Sequence, residues 1–345
     1  MRWLVIHPGP SFSVADVYDG WVAALRGLGE QVMEYRLDKR LTFFDQALFA
    51  DDLTDEEGRQ AIHKALPRDK ALELAAEAIG SMCHQFWPHI VLCTSAFFIP
   101  PLTLQVMRER GHKIVMLFTE TPYQTGMQLK IAEFADLSLV NDPCDIDRYR
   151  AVGRAEYMPH AYQPKVHYPG GQRGRHYDLA FVGSGFPSRI AFFEAMDLAG
   201  LDVKLAGPWF GIPADSPLRD YGEMSPDGCV TNAETAAIYR RARAGINFYR
   251  REAEDGQEGQ GWACGPREIE MAACGLWFMR DPRGESDELF PMLPSFTSPA
   301  EAGDLLRWAL AHPEDTAEAA IKARAAIADR TFGNHARKLL AMLDH

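Results

Sequence analysis

The sequence predicts an α/β protein built as two doubly wound domains, each with a parallel sheet. Three observations carry that expectation. A chain of 345 residues is too long for one compact core and suits two domains of ordinary size. It opens with an apolar strand, a turn containing a glycine, an amphipathic helix and a second strand, which is how a parallel sheet begins. The same pattern restarts at Tyr177, after a stretch over 163–176 rich in Pro, Gly and charge. The expected divisions are 1–165, 166–330 and a closing helical segment, 331–345.

Composition narrows the function classes. Hydrophobic residues at 47% mark a globular chain, and no apolar run approaches a membrane span. Met1–His7 is too short for a signal peptide, so a cytoplasmic protein is expected. The six cysteines are scattered without a Cys-x-x-Cys pair, which points to neither a zinc site nor a disulfide scaffold. A net charge of −12 argues against a broad nucleic-acid surface, which needs a basic stripe, but leaves room for one basic pocket that takes a diphosphate.

In the first half, residues 2–6 form the opening strand and His7-Pro8-Gly9-Pro10-Ser11 its turn. Gly9 lacks the G-x-G-x-x-G spacing, so no dinucleotide fingerprint is present. Asp16 to Leu28 reads as a helix with Val17, Trp21, Ala24, Leu25 and Leu28 on one face, and Gln31 to Tyr35 as a strand. Residues 38–70 are irregular and acidic, a solvated insertion in which Thr54 and Glu57 suit a capping box. A helix from about Lys70 to Phe86 leads into a strand over 88–93. His84 and His89 flank that strand without metal-ligand spacing and are read as structural. The loop Thr94–Pro101 lies at a strand's C-terminal end, where ligands bind in open α/β sheets. A helix over 102–111 and a strand from Lys113 to Phe118 follow, with Glu120 just beyond. That carboxylate is placed either as a general base for an acceptor hydroxyl or as a loop and helix-capping group. Residues 137–140 complete the strands of this half.

In the second half, Tyr177–Gly183 is a strand, Ser184–Arg189 a glycine loop and Ile190–Ala199 a helix. Gly183 and Gly185 permit close backbone approach to a ligand, and Arg189 brings charge to the helix start. A strand at 202–207, a helix at 233–243 and a strand at 244–249 come next. Residues 250–265 read as a mobile, Gly-rich polar loop with Trp262 as its apolar anchor. Gly265 to Gly275 then forms a short helix before a buried strand. Pro266 suits the first helical position and Gly275 the left-handed stop. Ile269, Ala272 and Ala273 face a sheet, while Arg267 and Glu270, three apart, share the other side. A planar guanidinium at a helix N-terminus suits phosphate, and a carboxylate one turn deeper suits two ribose hydroxyls. An ordinary surface ion pair explains the same spacing. Helices over 299–311 and 313–343 close the chain.

Glu270-Met271-Ala272-Ala273-Cys274-Gly275 resembles the Glu-(Ala/Met)-x-Ala-x-Gly segment of retaining glycosyltransferases with the GT-B fold. The fuller pattern, Arg267-x-x-Glu270-x-x-Ala273-Cys274-Gly275 followed by an apolar strand and Asp281, is similar to the CgeB-type branch, named for spore-maturation proteins. Asp178 to Arg189, Asn247-x-Tyr249 with Arg250 or Arg251, Leu289-Phe290, and the linker from Glu156 to Lys165 are also similar. This resemblance implies two Rossmann-like domains facing across a cleft, with the last helix returning to the first. It implies a nucleotide-sugar donor, UDP-sugar favoured, held by Gly183, Ser184, Gly185, Arg189, Thr231, Asn247, Tyr249, Gly265, Arg267 and Glu270. His7, Gly9 and Ser11 fall on the acceptor side, and Glu120 and His160 in catalytic positions. No cofactor beyond the co-substrate is implied and, with no Asp-x-Asp motif, no metal. The chain departs from the related Glu-x7-Glu pattern by placing Trp262 where the first Glu stands; Glu258 and Gln260 are the nearby substitutes. The acceptor stays open among protein, glycan, small molecule and nucleobase. An epimerase of the same fold and a silent nucleotide-sugar-binding protein are the alternatives.

Overall fold

The computed structural model describes residues 1–10, 14–46, 48–49, 64–170, 174, 176–209, 211–221, 229–252 and 261–343. It divides into two compact units.

The first unit comprises Met1–Val140 and Asp145–Tyr157. Its strands are β1 (Arg2–Ile6), β2 (Gln31–Tyr35), β3 (Leu48–Phe49), β4 (Lys64–Ala65), β5 (Ile90–Thr94), β6 (Lys113–Phe118), β7 (Leu137–Val140) and β8 (Ala155–Tyr157). Its helices are α1 (Ala15–Gly27), α2 (Leu37–Asp45), α3 (Arg68–Phe86), α4 (Pro101–Glu109), α5 (Thr125–Ala132) and α6 (Ile146–Arg150). Six strands form one parallel sheet in the order β2-β1-β5-β6-β7-β8, and β3 and β4 pair separately. A parallel sheet must be covered on both faces, which is why its strands are apolar without alternation. Leu4, Ile6, Val91, Cys93, Ile114 and Met116 pack with Ala75, Ala76, Ile79 and Cys83 of α3. Trp3, Val5, Leu92 and Val115, on the opposite pleat, are equally buried. On α1 the buried set is Tyr18, Gly20, Trp21, Val22 and Leu25, so the core stripe is turned from the expected face and includes Tyr18 in place of Val17. Thr54 and Glu57 lie outside the described residues.

The second unit comprises Asn141–Cys144 and Met158–His345. Its strands are β9 (Tyr177–Val182), β10 (Val203–Ala206), β11 (Ala242–Asn247) and β12 (Phe278–Arg280). Its helices are α7 (Pro187–Ala195), α8 (Asn232–Arg241), α9 (Pro266–Ala273), α10 (Gly284–Leu289), α11 (Pro299–Ala311), α12 (Pro313–Ala326) and α13 (Phe332–Leu343). The four strands run parallel in the order β10-β9-β11-β12. The core includes Leu179, Phe181, Leu205, Ile246, Ile269, Phe278, Leu306 and Ala323. β11 ends at Asn247, two residues earlier than the sequence suggests, so Phe248 and Tyr249 belong to the loop beyond it.

In each unit the strand order reverses once, beside β1 and beside β9. The C-terminal ends of β1 and β5, and of β9 and β11, therefore flank the crevices where open α/β sheets hold ligands. No described helix is long and apolar enough to cross a membrane.

Candidate functional site

In the second unit the loop after β9 approaches the end of β11. Gly207, beyond β10, has φ +124°, and a Cβ there would meet the Gly183 carbonyl oxygen at 2.5 Å. A Cβ on Gly185 would meet the Trp209 ring at 2.5 Å, and one on Gly183 would meet Phe181 at 3.0 Å and Arg189 at 3.2 Å. These glycines let the protein pack closely on itself around the β9 loop. Arg189 spans the crevice: Nε donates to the Phe248 carbonyl at 2.9 Å and Nη1 to the Ser184 carbonyl at 3.0 Å. Its guanidinium also lies over the Phe181 and Phe186 rings. Arg189 thus braces the loop, where the sequence suggested charge offered to a ligand. At the start of α7, the Ser188 backbone N–H and hydroxyl both donate to Glu252. Burial opposes that charge, yet these donors outweigh it and hold the Glu252 carboxyl below its usual range.

α9 has the expected ends: Pro266 at the first turn, Gly265 as N-cap, and Gly275 at φ +69°. The run leading into it is fixed through four successive backbone N–H groups. Trp262 and Ala263 donate to Asp142 at 2.9 and 3.0 Å, Cys264 to Glu285 at 2.7 Å, and Gly265 to the Tyr249 hydroxyl oxygen at 2.9 Å. Pro266 has no N–H, and Glu268 and Ile269 donate to the Gly265 carbonyl. The helix end therefore offers an anion fewer backbone donors than its sequence suggests. Arg267 Nη1 donates to Glu270 at 2.6 Å and reaches Thr235 at 3.4 Å. The pair is not a solvated surface bridge, since the Glu270 side chain is only 7% exposed and that of Arg267 25%. Part of the loop before α9, including Glu258 and Gln260, lies outside the described residues.

Beneath this pair sits a residue that sequence reasoning missed. Glu268 is fully buried. Its Oε1 accepts from Asn247 Nδ2 at 2.6 Å and from the Tyr249 hydroxyl at 2.5 Å. Its Oε2 accepts from the Ser286 hydroxyl at 2.5 Å and the Cys264 thiol at 3.2 Å. Asn247 and Tyr249, expected to meet the donor, thus direct polar atoms to Glu268; they support α9 from below. The signal was present: Glu268 shares a helix face with Met271 and Ala272, three and four residues on, and both are buried. Thr231, also expected at the donor, has its side chain in a capping box with Glu234 at the start of α8.

Three further carboxylates complete the surroundings. Asp142 also accepts from the Cys144 N–H. Glu285 also accepts from Arg330 Nη2 at 2.5 Å. Asp281 accepts from the Tyr249 N–H and pairs with Arg251 at 2.9 Å. Burial lifts the Asp281 pKa to about 6, opposed by that N–H and by Arg251. Arg283 lies over the Tyr249 ring at 4.0 Å. His160 is held neutral at ordinary pH: desolvation takes its pKa to about 4 although Glu285, Glu270 and Asp142 pull upward. His160 Nε2 stands 3.4 Å from Asn141 Nδ2 and accepts from it, which leaves the neutral ring's proton on Nδ1. His167, also depressed by burial, accepts the Gln163 N–H on Nδ1, and its buried Nε2 has no hydrogen-bond partner among the described residues.

In the first unit, His7 Nδ1 accepts the Gly9 N–H at 3.2 Å and lies 3.5 Å from Asp38. Desolvation lowers the His7 pKa to about 4. Gly9 has φ +88° and packs on Phe98. Beyond β5, Ser95 and Ala96 both adopt left-handed backbone, φ 60° and 59°, and Ser95 Oγ lies 3.3 Å from Thr119 Oγ1. Glu120 follows, half-buried, and its carbonyl accepts the Gln124 N–H. The next residue, Thr121, is tied to Gln128 at 2.8 Å and Tyr149 at 2.9 Å. Glu120 and His160 belong to different units, and Ser11 lies outside the described residues. Among the described residues no cluster of three or more His, Cys, Asp or Glu side chains is arranged to hold a metal.

Comparison with known proteins agrees with this architecture. Residues 189–341 match the family model described as glycosyl transferase-like. Sucrose-phosphate synthase from Thermosynechococcus elongatus superposes with a TM-score of 0.65 at 14% identity, covering 100% of this chain and 98% of that one. The E. coli trehalose-6-phosphate protein bound with UDP-2-fluoro glucose gives 0.59 at 12%, covering 99% of each chain. A Listeria monocytogenes protein assigned as a UDP-N-acetylglucosamine 2-epimerase gives 0.60 at 13%, covering 99% and 95%. No curated protein sequence matches significantly. The chain has the GT-B fold of glycosyltransferases, and its second half carries the match to the glycosyl transferase-like family.

Proposed function

We propose that the protein transfers a sugar from a nucleotide-diphosphate sugar, a UDP-sugar in the first instance, to an acceptor hydroxyl without using a metal. The observation that carries this reading is the Arg267–Glu270 pair: a guarded guanidinium and carboxylate on α9, inside the segment matching the glycosyl transferase-like family. The UDP preference draws on two structural neighbours whose descriptions name UDP compounds. The Arg267-x-x-Glu270 spacing also resembles the CgeB-type branch.

In this mechanism the bond between the sugar's anomeric carbon and the diphosphate oxygen breaks, and a bond to the acceptor oxygen forms. Arg267 leaves Glu270 to bind the diphosphate and stabilises its growing charge in a partly dry site. Glu270, released, accepts the ribose hydroxyls. His160 donates from Nδ1 to a hydroxyl of the transferred sugar, and Glu120 takes the acceptor proton. The strained Ser95–Ala96 turn supports an acceptor position in the first unit, since strain of this kind clusters at functional loops.

Calorimetric titration with UDP, GDP, ADP and TDP, each with and without magnesium, tests the reading. Saturable, magnesium-independent binding of one diphosphate, lost in Arg267→Ala and Glu270→Ala, is the expected result. Binding of none overturns it. The likeness to the 2-epimerase favours a second reading, conversion of the donor sugar itself. Incubation of the UDP-sugar alone separates the two, because an epimerase yields the isomeric UDP-sugar without an acceptor. A protein that only binds would hold the donor equally well as Glu120→Gln and turn over nothing.

A further inference from the structure

Glu268 invites a question the transfer mechanism leaves open. A carboxylate without solvent is costly to bury unless donors are matched to it, and here four converge from four places in the chain. Asn247 ends β11, Tyr249 lies in the loop beyond it, Cys264 precedes α9 and Ser286 belongs to α10. The Tyr249 hydroxyl is used twice: its O–H donates to Glu268, and its oxygen accepts the N–H of Gly265, the residue at which α9 begins. Glu268 therefore holds both the first turn of α9 and, through Tyr249, the helix start. Arg267 precedes it and Glu270 follows two residues later, so any roll of the helix that moves Glu268 moves both.

We propose that Glu268 is the positioning residue of the donor site, fixing the roll and axial setting of α9 so that Arg267 and Glu270 meet the nucleotide in one geometry. The inference rests on reading that pair as the nucleotide grip. Glu268 touches no substrate; it acts through the helix it anchors.

The test is titration of the full chain with UDP, or with whichever of the four diphosphates wild type binds best. Wild type, Glu268→Ala, Glu268→Gln, Tyr249→Phe and the Glu268→Gln/Tyr249→Phe double variant are each measured well below their own melting temperature. Glu268→Ala, which takes the carboxylate from four donors, and Tyr249→Phe, which breaks the link from Glu268 to the Gly265 N–H, should each bind at least about tenfold more weakly. Glu268→Gln should recover most of the affinity, and the double variant should be no weaker than the weaker single, because both lie on one chain of bonds. A residue that merely stabilises the fold gives lower melting temperatures with unchanged affinity, and that result overturns the proposal while the nucleotide grip stands. If Glu268→Ala does not fold, Tyr249→Phe, which keeps the ring under Arg283, decides the matter alone. If wild type binds no diphosphate, the nucleotide reading falls and this inference falls with it.

Discussion

In the first unit the loops beyond β1, β5 and β6 are shaped by backbone geometry and hydroxyl groups; in the second the loops beyond β11 and β12 are held by buried carboxylates. On one side stand Gly9, the left-handed Ser95 and Ala96, and the Thr121–Gln128–Tyr149 cluster. On the other stand Asp142, Glu268, Asp281 and Glu285, all below a tenth exposed and each accepting at least one backbone or side-chain donor. Asp142 reaches Trp262 across 120 positions of sequence, and Arg330 reaches Glu285 across 45. A turn shaped by its own backbone depends mainly on near neighbours. A segment held by carboxylates depends on residues far along the chain, so single deletions should damage it more.

The largest expected effect tests that directly. Glu285→Ala leaves Arg330 and the Cys264 N–H without their carboxylate, and breaking a buried pair in this way costs about 3–5 kcal/mol. Thr121→Val removes one hydroxyl from an uncharged network and should cost about 1–2 kcal/mol. Chemical denaturation of both variants measures the gap. Equal losses would erase the distinction between the two kinds of loop.

Glycine replacement gives the next effect. Gly207→Ala forces a side chain into φ +124° and against the Gly183 backbone, which cannot swing aside. Roughly 2–4 kcal/mol is expected there. Gly9→Ala meets the Phe98 side chain at 2.9 Å, which can shift, so about 1–2 kcal/mol is expected from φ +88° alone. Melting curves that reverse this order would show that the β9 loop is more yielding than its packing implies.

These contrasts also explain what the sequence disclosed. Parallel strands with both faces buried leave continuous apolar runs, so β1, β5, β6 and β9 were legible, and Pro266 and Gly275 marked both ends of α9. Arg267 and Glu270 were legible because helix spacing alone puts them together. For Glu268 only the burial was legible, from the face it shares with Met271 and Ala272; its part in the site was not, since its four partners are assembled only by the fold. Asn247 and Tyr249 fit a pattern that resembles a ligand site, while in the fold Asn247 Nδ2 and the Tyr249 hydroxyl donate to Glu268. The strain at Ser95 and Ala96 left no trace, because neither residue type asks for a left-handed backbone.

Acid should also separate the units. His7 in the first, and His160 and His335 in the second, have folded pKa values lowered by burial from 6.5 to about 4, and His167 shifts the same way. A group depressed on folding contributes stability that is complete above its unfolded pKa and is lost as pH falls through the folded value. Melting temperature should therefore hold near neutrality and fall between pH 6.5 and about 4. His7→Asn should flatten that slope by one ring's share and the His160→Asn/His335→Asn double variant by about two, because the second unit holds more of these depressed rings. Donor affinity should show no inflection at 6.5 if the relevant imidazole is His160.

The smallest effect is the sharpest probe of strain. Ala96 holds φ 59° with no side-chain hydrogen bond to lose, whereas Ser95 beside it contacts Thr119. A left-handed residue with a Cβ carries a cost of roughly 1–2 kcal/mol that glycine avoids, offset in part by glycine's greater freedom when unfolded. Ala96→Gly should thus raise stability by about 0.5–1 kcal/mol while weakening whatever the turn positions. No counterpart exists in the second unit, where among the described residues only glycines have positive φ. If Ala96→Gly instead lowers the melting temperature, the methyl group's burial outweighs the backbone term, and the turn is held by packing, as the second unit's loops are held by charge.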